Sequence, residues 1–250
     1  MRTSRFYTRQ QLADCKTVRL DEETSHYVSR VLRLKVGDPL VLFNGDGRDY
    51  HAILDRIDKK QVHARIQNAA SVATESKLHI ELGQGISRGE RMDFVLQKSV
   101  ELGVSTITPL WTARSQVHLQ GKRLEKRVVH WQGIIRSACE QSGRSVLPTL
   151  GATCTLSDWC TGGNPALQLV LDPEAETSLA ELEPANRARI LIGPEGGLDG
   201  GEIACAESAG FQRVRLGPRI LRTETAALAA LCALQTLWGD LASRTAGSSS

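Results

Sequence analysis

The sequence predicts an α/β protein in which a small β-barrel precedes a larger domain with a mostly parallel sheet. Up to about residue 70, short runs of alternating apolar residues are separated by turn residues, as in small β-barrels. From Lys77 onward, strand-like runs alternate with helix-like runs, and the strand-like runs are short and apolar, as in a sheet covered on both faces. We therefore expect two domains, at residues 1–72 and 73–242, and a disordered tail at 243–250. The polar stretch 68–76 is the expected boundary.

The first part is predicted to contain a hairpin, a further strand and one helix. Residues 40–44 and 49–57 flank the turn NGDG, which is a β-hairpin signal. The segment QVHARIQ, at residues 61–67, continues the alternation as another strand. Between these strands and the N-terminus, SHYVSRVLRL from Ser25 has the apolar spacing of a short helix.

The second part is predicted to alternate strands with helices. The expected strands lie at residues 78–86, 105–110, 166–172, 189–193 and 214–217, and the expected helices at 90–103, 121–142 and 225–238. The last helix is apolar nearly all round, so we expect it to be buried in the core or against a second subunit.

Two glycine-rich segments follow the last two predicted strands. IGPEGGLDGGE, at residues 192–202, and LGPRILRTETA, at residues 216–226, each follow an apolar run and precede a helix-like run. Two such strand-to-helix corners place two sets of backbone N–H groups at one end of a sheet, which suits a ligand pocket. Neither segment has an obvious packing reason to carry this much glycine, proline and charge. The sequence therefore predicts one small-molecule site built from both loops.

Composition indicates an ordinary globular protein, with 41% hydrophobic and 24% charged residues among 250. The charged N-terminal segment lacks the apolar region of a signal peptide, and the longest apolar run, at residues 226–234, is too short to span a bilayer. Six scattered cysteines without a C-x-x-C pair suit reduced thiols, and no two histidines have metal-ligand spacing. We expect a cytoplasmic protein that uses neither a membrane nor a metal ion.

The charges are unevenly distributed, although the net charge is only +3. Residues 1–150 carry 24 basic against 16 acidic side chains, whereas residues 151–250 carry 7 against 12. Guanidinium groups bind phosphates bidentately, so the basic first half is predicted to face a nucleic acid. Solvated surface charge and ion pairs within the chain are the open alternative. The candidate RNA-binding residues, chosen because they look exposed, are Arg30, Arg33, Arg88, Arg91, Lys98, Arg114, Arg136 and Arg144.

Several common chemistries have no support in the sequence. GQGISRG, at residues 83–89, spaces its glycines as G-x-G-x-x-x-G rather than as a dinucleotide-binding turn. No G-x-x-x-x-G-K-[ST] phosphate loop and no G-x-S-x-G nucleophile elbow is present. Three charged residues of the glycine-rich segments remain as candidates for chemistry: Glu195, Arg222 and Glu224. For Glu224, a position at the start of the apolar helix is also a complete structural explanation, because an acidic residue favours the positive helix end.

The motifs resemble those of a known family. GPEGG at residues 193–197 followed by LGPRILRTETA is similar to the cofactor-binding signature of the SPOUT methyltransferases, and more narrowly to the bacterial 16S ribosomal RNA uridine-N3 methyltransferases. RFY at 5–7, HYVSRVLR at 26–33, QKSVELGV at 97–104 and EQSGR at 140–144 fit the same pattern, so the resemblance extends to about residue 240. Leu198, where the family often has Phe, is a small departure from that pattern.

The resemblance implies a PUA-like β-barrel that helps to bind RNA, followed by a SPOUT-type knotted α/β domain. It also implies S-adenosylmethionine as the methyl donor, a homodimer, and 16S ribosomal RNA as the partner, with the assembled small subunit as the expected substrate. Carried onto this chain, the implied cofactor-binding residues are Leu171, Ile192, Gly193, Pro194, Gly196, Gly197, Leu216, Gly217, Ile220, Leu221, Arg222, Thr223 and Ala226.

The implied reaction suggests roles for the three charged residues. N3 of uracil carries a proton and is a poor nucleophile until that proton leaves. Our hypothesis is that Glu224 or Glu195 helps to accept the proton, while Arg222 stabilises the developing uracil anion. Two alternatives stay open: a SPOUT enzyme with another RNA target, and a non-catalytic RNA-binding factor for ribosome assembly.

Overall fold

The computed structural model describes residues 3–58, 61–116, 120–162 and 167–242, which fall into two compact units. The N-terminal unit comprises Met1–Glu75 together with Arg136–Leu147, and the C-terminal unit comprises Ser76–Ile135 and Pro148–Ser250. The sequence pattern did not indicate that residues 136–147 join the first unit. The expected disordered tail at 243–250 lies outside the described residues.

The N-terminal unit is built on a five-stranded sheet. Its strands are β1 (Ser4–Tyr7), β2 (Thr17–Arg19), β3 (Pro39–Phe43), β4 (Arg48–Ile57) and β5 (Val62–Ser71). They are ordered β1-β3-β4-β5-β2, with β1 parallel to β3 and the other pairs antiparallel. The predicted hairpin is confirmed as β3 and β4, whose alternating apolar side chains form the core of the unit. Residues 68–71, expected in the boundary, instead continue β5.

The predicted helix at Ser25 is α-helical at its start and π-helical further along. Helix α1 (Glu22–His26) begins after Asp21, whose side chain accepts a hydrogen bond from the backbone N–H of Thr24. It continues as a π-helical turn over Tyr27–Val31, and Arg33 follows with a left-handed φ of 53°. Arg30 therefore lies in the π-helical turn, and Arg33 lies beyond the end of the helix that the sequence predicts from Ser25. Both side chains are nevertheless exposed.

Within the N-terminal unit, polar contacts connect the first strand, β1, with residues 140–145. Arg5 forms an ion pair with Asp49 and donates hydrogen bonds to the Arg144 carbonyl (3.2 Å) and to Ser145 Oγ (3.0 Å). The backbone N–H of Tyr7 donates to Glu140 Oε1 at 2.9 Å. The motifs RFY and EQSGR are thus bonded to each other within this unit, although they lie more than 130 residues apart in sequence.

The C-terminal unit contains a seven-stranded sheet in which every recorded pairing is parallel. The strands are β6 (His79–Gly85), β7 (Thr106–Trp111), β8 (Thr149–Leu150), β9 (Cys154–Thr155), β10 (Leu167–Leu171), β11 (Arg187–Ile192) and β12 (Gln212–Val214). Their order is β12-β10-β11-β6-β7-β8, and β9 also pairs with β7. Within the described residues, the predicted α/β class with a mostly parallel sheet after a smaller sheet is confirmed.

The helices largely follow the apolar periodicity. They are α2 (Gly89–Glu101), α3 (Gly121–Ser142), α4 (Leu156–Thr161), α5 (Gly200–Ser208) and α6 (Thr223–Leu237), with a 3-10 turn at Leu179–Glu181. Helix α2 buries Met92, Val95 and Leu96 and packs against α6. Two predicted boundaries differ from the structure. The strand expected at 214–217 is Gln212–Val214, and the apolar helix begins at Thr223 rather than at residue 225. Among the helices of the described ranges, none is long and apolar enough to cross a membrane.

Candidate active site

A cavity of about 780 Å³ lies where strands β10, β11 and β12 of the C-terminal unit end. Three loops supply most of its lining, one from the carboxyl end of each strand, and this is where parallel α/β sheets bind ligands. Every residue implied as cofactor-binding by the resemblance lies in this lining, as do Glu195, Arg222 and Glu224. The expectation that both glycine-rich segments belong to one site therefore agrees with the geometry.

The loop after β11 depends on close backbone approach. A Cβ added to Gly193 would lie 2.8 Å from the carbonyl carbon of Gly197 and 2.9 Å from the nitrogen of Leu198. The Gly197 N–H donates to the Pro194 carbonyl at 2.9 Å and closes the turn. Because the neighbours of Gly193 are backbone atoms that no side-chain rotation can move away, only glycine fits there.

The loop after β12 is anchored at its far end. It leaves the sheet at Val214, passes through Gly217 with a left-handed φ of 70°, and reaches Thr223 at the start of α6. The Thr223 hydroxyl is buried and donates to the Gly193 carbonyl at 2.6 Å. The two glycine-rich loops are therefore hydrogen-bonded to each other directly.

Of the third loop, after β10, only Leu171 was among the predicted cofactor-binding residues. Asp172 is buried and accepts hydrogen bonds from Arg213 Nε (2.7 Å) and from the Glu174 backbone N–H (2.9 Å). Glu174 and Pro173 of this loop also line the cavity. The signal that could have found it is the acidic sequence LDPE directly after a buried strand, at the same sheet edge as the other two loops.

The two candidate proton acceptors have different surroundings. Glu195 Oε1 accepts hydrogen bonds from the Arg88 backbone N–H (2.9 Å) and from Arg91 Nη1 (3.1 Å). Burial by itself raises the pKa of Glu195, but these hydrogen bonds and the Arg91 charge hold it below its usual value. Glu195 is therefore a stable carboxylate and a weak base.

Glu224 is less fully paired. Its Oε1 lies 4.0 Å from Arg91 Nε, and its Oε2 is buried without a hydrogen-bond partner among the described residues. It lies in the first turn of α6, as expected, where the helix dipole favours a carboxylate. A buried carboxylate oxygen without a donor retains the capacity to accept a proton or hydrogen bond from a ligand.

The candidate RNA-binding residues do not form one class. Arg91 and Arg114 line the cavity, and Arg114 Nη1 donates to the Gly196 carbonyl at 3.0 Å. Lys98 is half-buried in an ion pair with Glu101. In the other positions, Arg88, Arg30 and Arg33 are exposed and Arg136 is half-buried.

The expectation that Arg144 is exposed is wrong. It is 5% exposed, and its guanidinium forms an ion pair with Glu75, to which Nε donates at 3.1 Å. Sequence analysis could not detect this pair because the two residues are 69 positions apart. Within the EQSGR motif, Arg144 therefore has a structural role.

Replacing Arg144 by methionine is expected to lower the free energy of unfolding by about 2 kcal/mol, because Glu75 loses its partner while keeping partial contact with water. Denaturant titration measures this loss. The matched variant Arg88→Gln should leave stability unchanged but weaken RNA binding at low salt, with a smaller loss as salt rises. If Arg144→Met instead weakened RNA binding and left stability unchanged, Arg144 would be an RNA-binding residue after all.

Two of the six cysteines are buried in surroundings that disfavour the reactive thiolate form. Burial raises the pKa values of the Cys139 and Cys160 thiols to about 12, so both stay protonated at neutral pH. In the part of the chain that the structure describes, no group of three or more His, Cys, Asp or Glu side chains could hold a metal ion.

Comparison with known families defines the class of protein. Residues 74–235 match the model of the RNA methyltransferase domain, and residues 20–67 match that of the RNA methyltransferase PUA domain. The chain belongs to the RNA methyltransferase family, as its sequence motifs predicted.

Within that family, the chain is similar to proteins named Ribosomal RNA small subunit methyltransferase E. The relative from Buchnera aphidicola (subsp. Acyrthosiphon pisum) is 39% identical over 225 residues, which is 88% of each chain. The solved structure of the Neisseria gonorrhoeae protein of this name, bound to S-adenosyl methionine, has a TM-score of 0.90 at 39% identity and covers 96% of this chain and 100% of its own. A Legionella pneumophila methyltransferase in complex with the same cofactor has a TM-score of 0.93 at 41% identity, with the same coverage.

Proposed function

We propose that this protein transfers a methyl group from S-adenosylmethionine to N3 of a specific uridine in 16S ribosomal RNA. The observation that carries the proposal is the convergence of both glycine-rich loops on one cavity at the carboxyl edge of the parallel sheet. The similarity to small-subunit methyltransferases whose structures contain this cofactor supports the same assignment.

The cavity suits S-adenosylmethionine in size and chemistry. Its volume of about 780 Å³ lies in the range of small-molecule sites, roughly 300–1,000 Å³. Apolar side chains of Leu171, Ile192 and Leu216 offer a surface for an adenine ring, and the glycine backbones leave room for a ligand to approach polar main-chain groups. Glu174 supplies a carboxylate for a cationic ligand group.

The protein's part in the reaction is to orient the uracil and to remove its N3 proton. When bound, S-adenosylmethionine supplies an activated methyl group on a sulfonium centre, so the transfer requires no metal ion. Glu224 accepts the N3 proton, directly or through one water molecule, because it lines the cavity and its Oε2 has no hydrogen-bond donor among the described residues. Glu195, whose pKa is lowered, stays ionised and orients Arg91.

Arg222 stabilises negative charge on the uracil as N3 loses its proton. It is exposed at the position directly before α6, and it lines the cavity next to Glu224. A guanidinium stays protonated at any pH relevant to the reaction, so this role is electrostatic and not acid–base. Exposed Arg88 and the cavity residue Arg114 supply positive charge for RNA phosphates near the site.

The test is methylation of ribosomal RNA by the purified protein with isotope-labelled S-adenosylmethionine. Small subunits and naked 16S RNA from a strain that lacks the corresponding gene serve as substrates, and mass spectrometry of nuclease fragments locates the methyl group. We expect one labelled uridine carrying the methyl group on N3. Label on transfer RNA or on a ribose 2′-hydroxyl would instead identify a different RNA methyltransferase. Absence of cofactor binding in calorimetry would favour a non-catalytic assembly factor.

Four further features belong to the proposal. They are a homodimer, a preference for the assembled small subunit over naked RNA, a metal-independent reaction, and a location in the cytoplasm. The resemblance implies the first two, the sulfonium chemistry supports the third, and the cysteine pattern favours the fourth. The knotted chain path and the domain limits 1–72 and 73–242 likewise stay predictions.

A further inference from the structure

A buried glutamine lies beneath both glycine-rich loops. Gln84 is the penultimate residue of β6, a central strand, and pairs in register with Ile192 of β11 and Pro109 of β7. Its side chain is 0% exposed and is not part of the cavity lining. A long polar side chain is costly to bury, so its hydrogen bonds must account for its presence.

The Gln84 amide is the origin of a directed chain of hydrogen bonds. Nε2 donates to Thr223 Oγ1 and to the Gly85 carbonyl, each at 3.0 Å, with a longer contact of 3.4 Å to the Gly193 carbonyl. The Thr223 hydroxyl in turn donates to the Gly193 carbonyl at 2.6 Å. Carbonyl oxygens can only accept hydrogen bonds, so the amide must face them with its nitrogen.

These hydrogen bonds join three segments that are distant in sequence. Gln84 lies at the end of a sheet strand, Gly193 is the first residue of the loop after β11, and Thr223 ends the loop after β12. Gln84 Oε1 has no partner among the described residues, so the side chain contributes through its donors. One side chain fixed in the sheet thus bonds to the start of the loop after β11, at Gly193, and to the end of the loop after β12, at Thr223.

We propose that Gln84 is a positioning residue for cofactor binding, which holds the two glycine-rich loops at the separation required to enclose the ligand. It touches no ligand itself and acts through Thr223 and the Gly193 carbonyl. The choice of S-adenosylmethionine as the probe rests on the proposed function, whereas the effect on the loops does not.

A second buried glutamine provides a matched control. Gln235 of α6 is also 0% exposed, and its Nε2 donates to the carbonyls of Leu102 (3.2 Å) and Gly103 (3.4 Å). Ser76 Oγ donates to its Oε1 at 2.7 Å. Neither Gln235 nor these partners line the cavity. Methionine at either position keeps most of the volume and removes the hydrogen bonds, so both variants should lose stability for the same reason.

The experiment compares Gln84→Met, Gln235→Met, Thr223→Val and Thr223→Ser in the full-length protein. Calorimetry measures the dissociation constant of S-adenosylmethionine, thermal unfolding measures stability, and hydrogen exchange measures the opening of the two loops. Gln84→Met and Thr223→Val should each weaken binding by about tenfold or more and speed amide exchange in both loops. Gln235→Met should lower stability with affinity and loop exchange unchanged. Thr223→Ser, which keeps the hydroxyl, should lose less affinity and show slower loop exchange than Thr223→Val.

The outcomes separate the inference from the proposed function. Equal losses of affinity in Gln84→Met and Gln235→Met would reduce Gln84 to a structural role and overturn the proposal. If the unaltered protein does not bind S-adenosylmethionine, the proposed function fails, and loop exchange alone then decides: unchanged exchange in Gln84→Met overturns the positioning role, and faster exchange supports it. Should Gln84→Met fail to fold, amide exchange without ligand decides: faster exchange of the loop after β11 in Thr223→Val than in Thr223→Ser supports the proposal, and equal exchange overturns it.

Discussion

Replacing Gly193 by alanine is expected to weaken binding of S-adenosylmethionine by about 100-fold or more. The added Cβ would meet the backbone of Gly197 at 2.8 Å and of Leu198 at 2.9 Å, so the loop itself must move. Displacements of about 1 Å at a binding or catalytic site can cost about 100-fold. Because Gly193 also accepts the hydrogen bond from Thr223, the shift should reach the second loop as well. Calorimetry with the purified variant measures the loss.

The control for this variant is Gly162→Ala. At that position the nearest atom to an added Cβ is the Asp158 carbonyl oxygen at 3.5 Å, an ordinary contact, and the φ of −88° is acceptable for alanine. Its cofactor affinity should match that of the unaltered protein. Normal binding by Gly193→Ala would mean that the loop adapts at little cost or that the ligand does not depend on its conformation.

Replacing Glu224 by glutamine is expected to slow single-turnover methylation by about 100-fold to 1,000-fold at neutral pH, which lies within the range for loss of a positioned general base. The amide keeps the shape of the side chain but cannot take the N3 proton. Cofactor affinity should change little. The rate of the variant should recover as the pH rises, because the N3 proton can then dissociate without a protein acceptor. Rapid-quench assays with labelled cofactor at several pH values measure both effects.

Glu195→Gln is the comparison that makes this result specific. Glu195 lines the same cavity, but its carboxylate is already engaged by Arg88 and Arg91 and has a lowered pKa. Its replacement removes hydrogen bonds and should slow the reaction by less than about tenfold. Near-normal rates in both variants would exclude both carboxylates as the proton acceptor, and a larger effect at Glu195 would reverse the assignment.

The parts of the site that were predictable are those encoded in short stretches of sequence. Glycine, proline and charge directly after an apolar run mark the loops at 192–202 and 216–226 without any knowledge of pairing. Strand order was not accessible in this way. Asp172 and Glu174 join the site because β10 lies between β11 and β12 in the sheet, and Gln84 acts beneath both loops because β6 pairs with β11.

Other errors arose where a residue's environment depends on distant partners. Arg144 looked like a surface charge, yet Glu75 pairs with it from 69 positions away. The π-helical turn at Tyr27–Val31 begins in the middle of a regular apolar pattern, and periodicity alone could not separate it from an α-helix. Helix α4 is only six residues long, too short for a periodic signal.

The membership of residues 136–147 in the N-terminal unit has a consequence for synthesis. Arg5 and Tyr7 are synthesised more than 130 residues before Glu140, Arg144 and Ser145, to which they bond. Domains generally fold as units during translation, beginning with the N-terminal one. Here the first sheet can form early. The Arg5 side chain and the Tyr7 backbone N–H, however, bond to water until residues 140–145 have been translated. A fragment that stops at residue 75 should therefore be less stable than the same unit in the full-length protein.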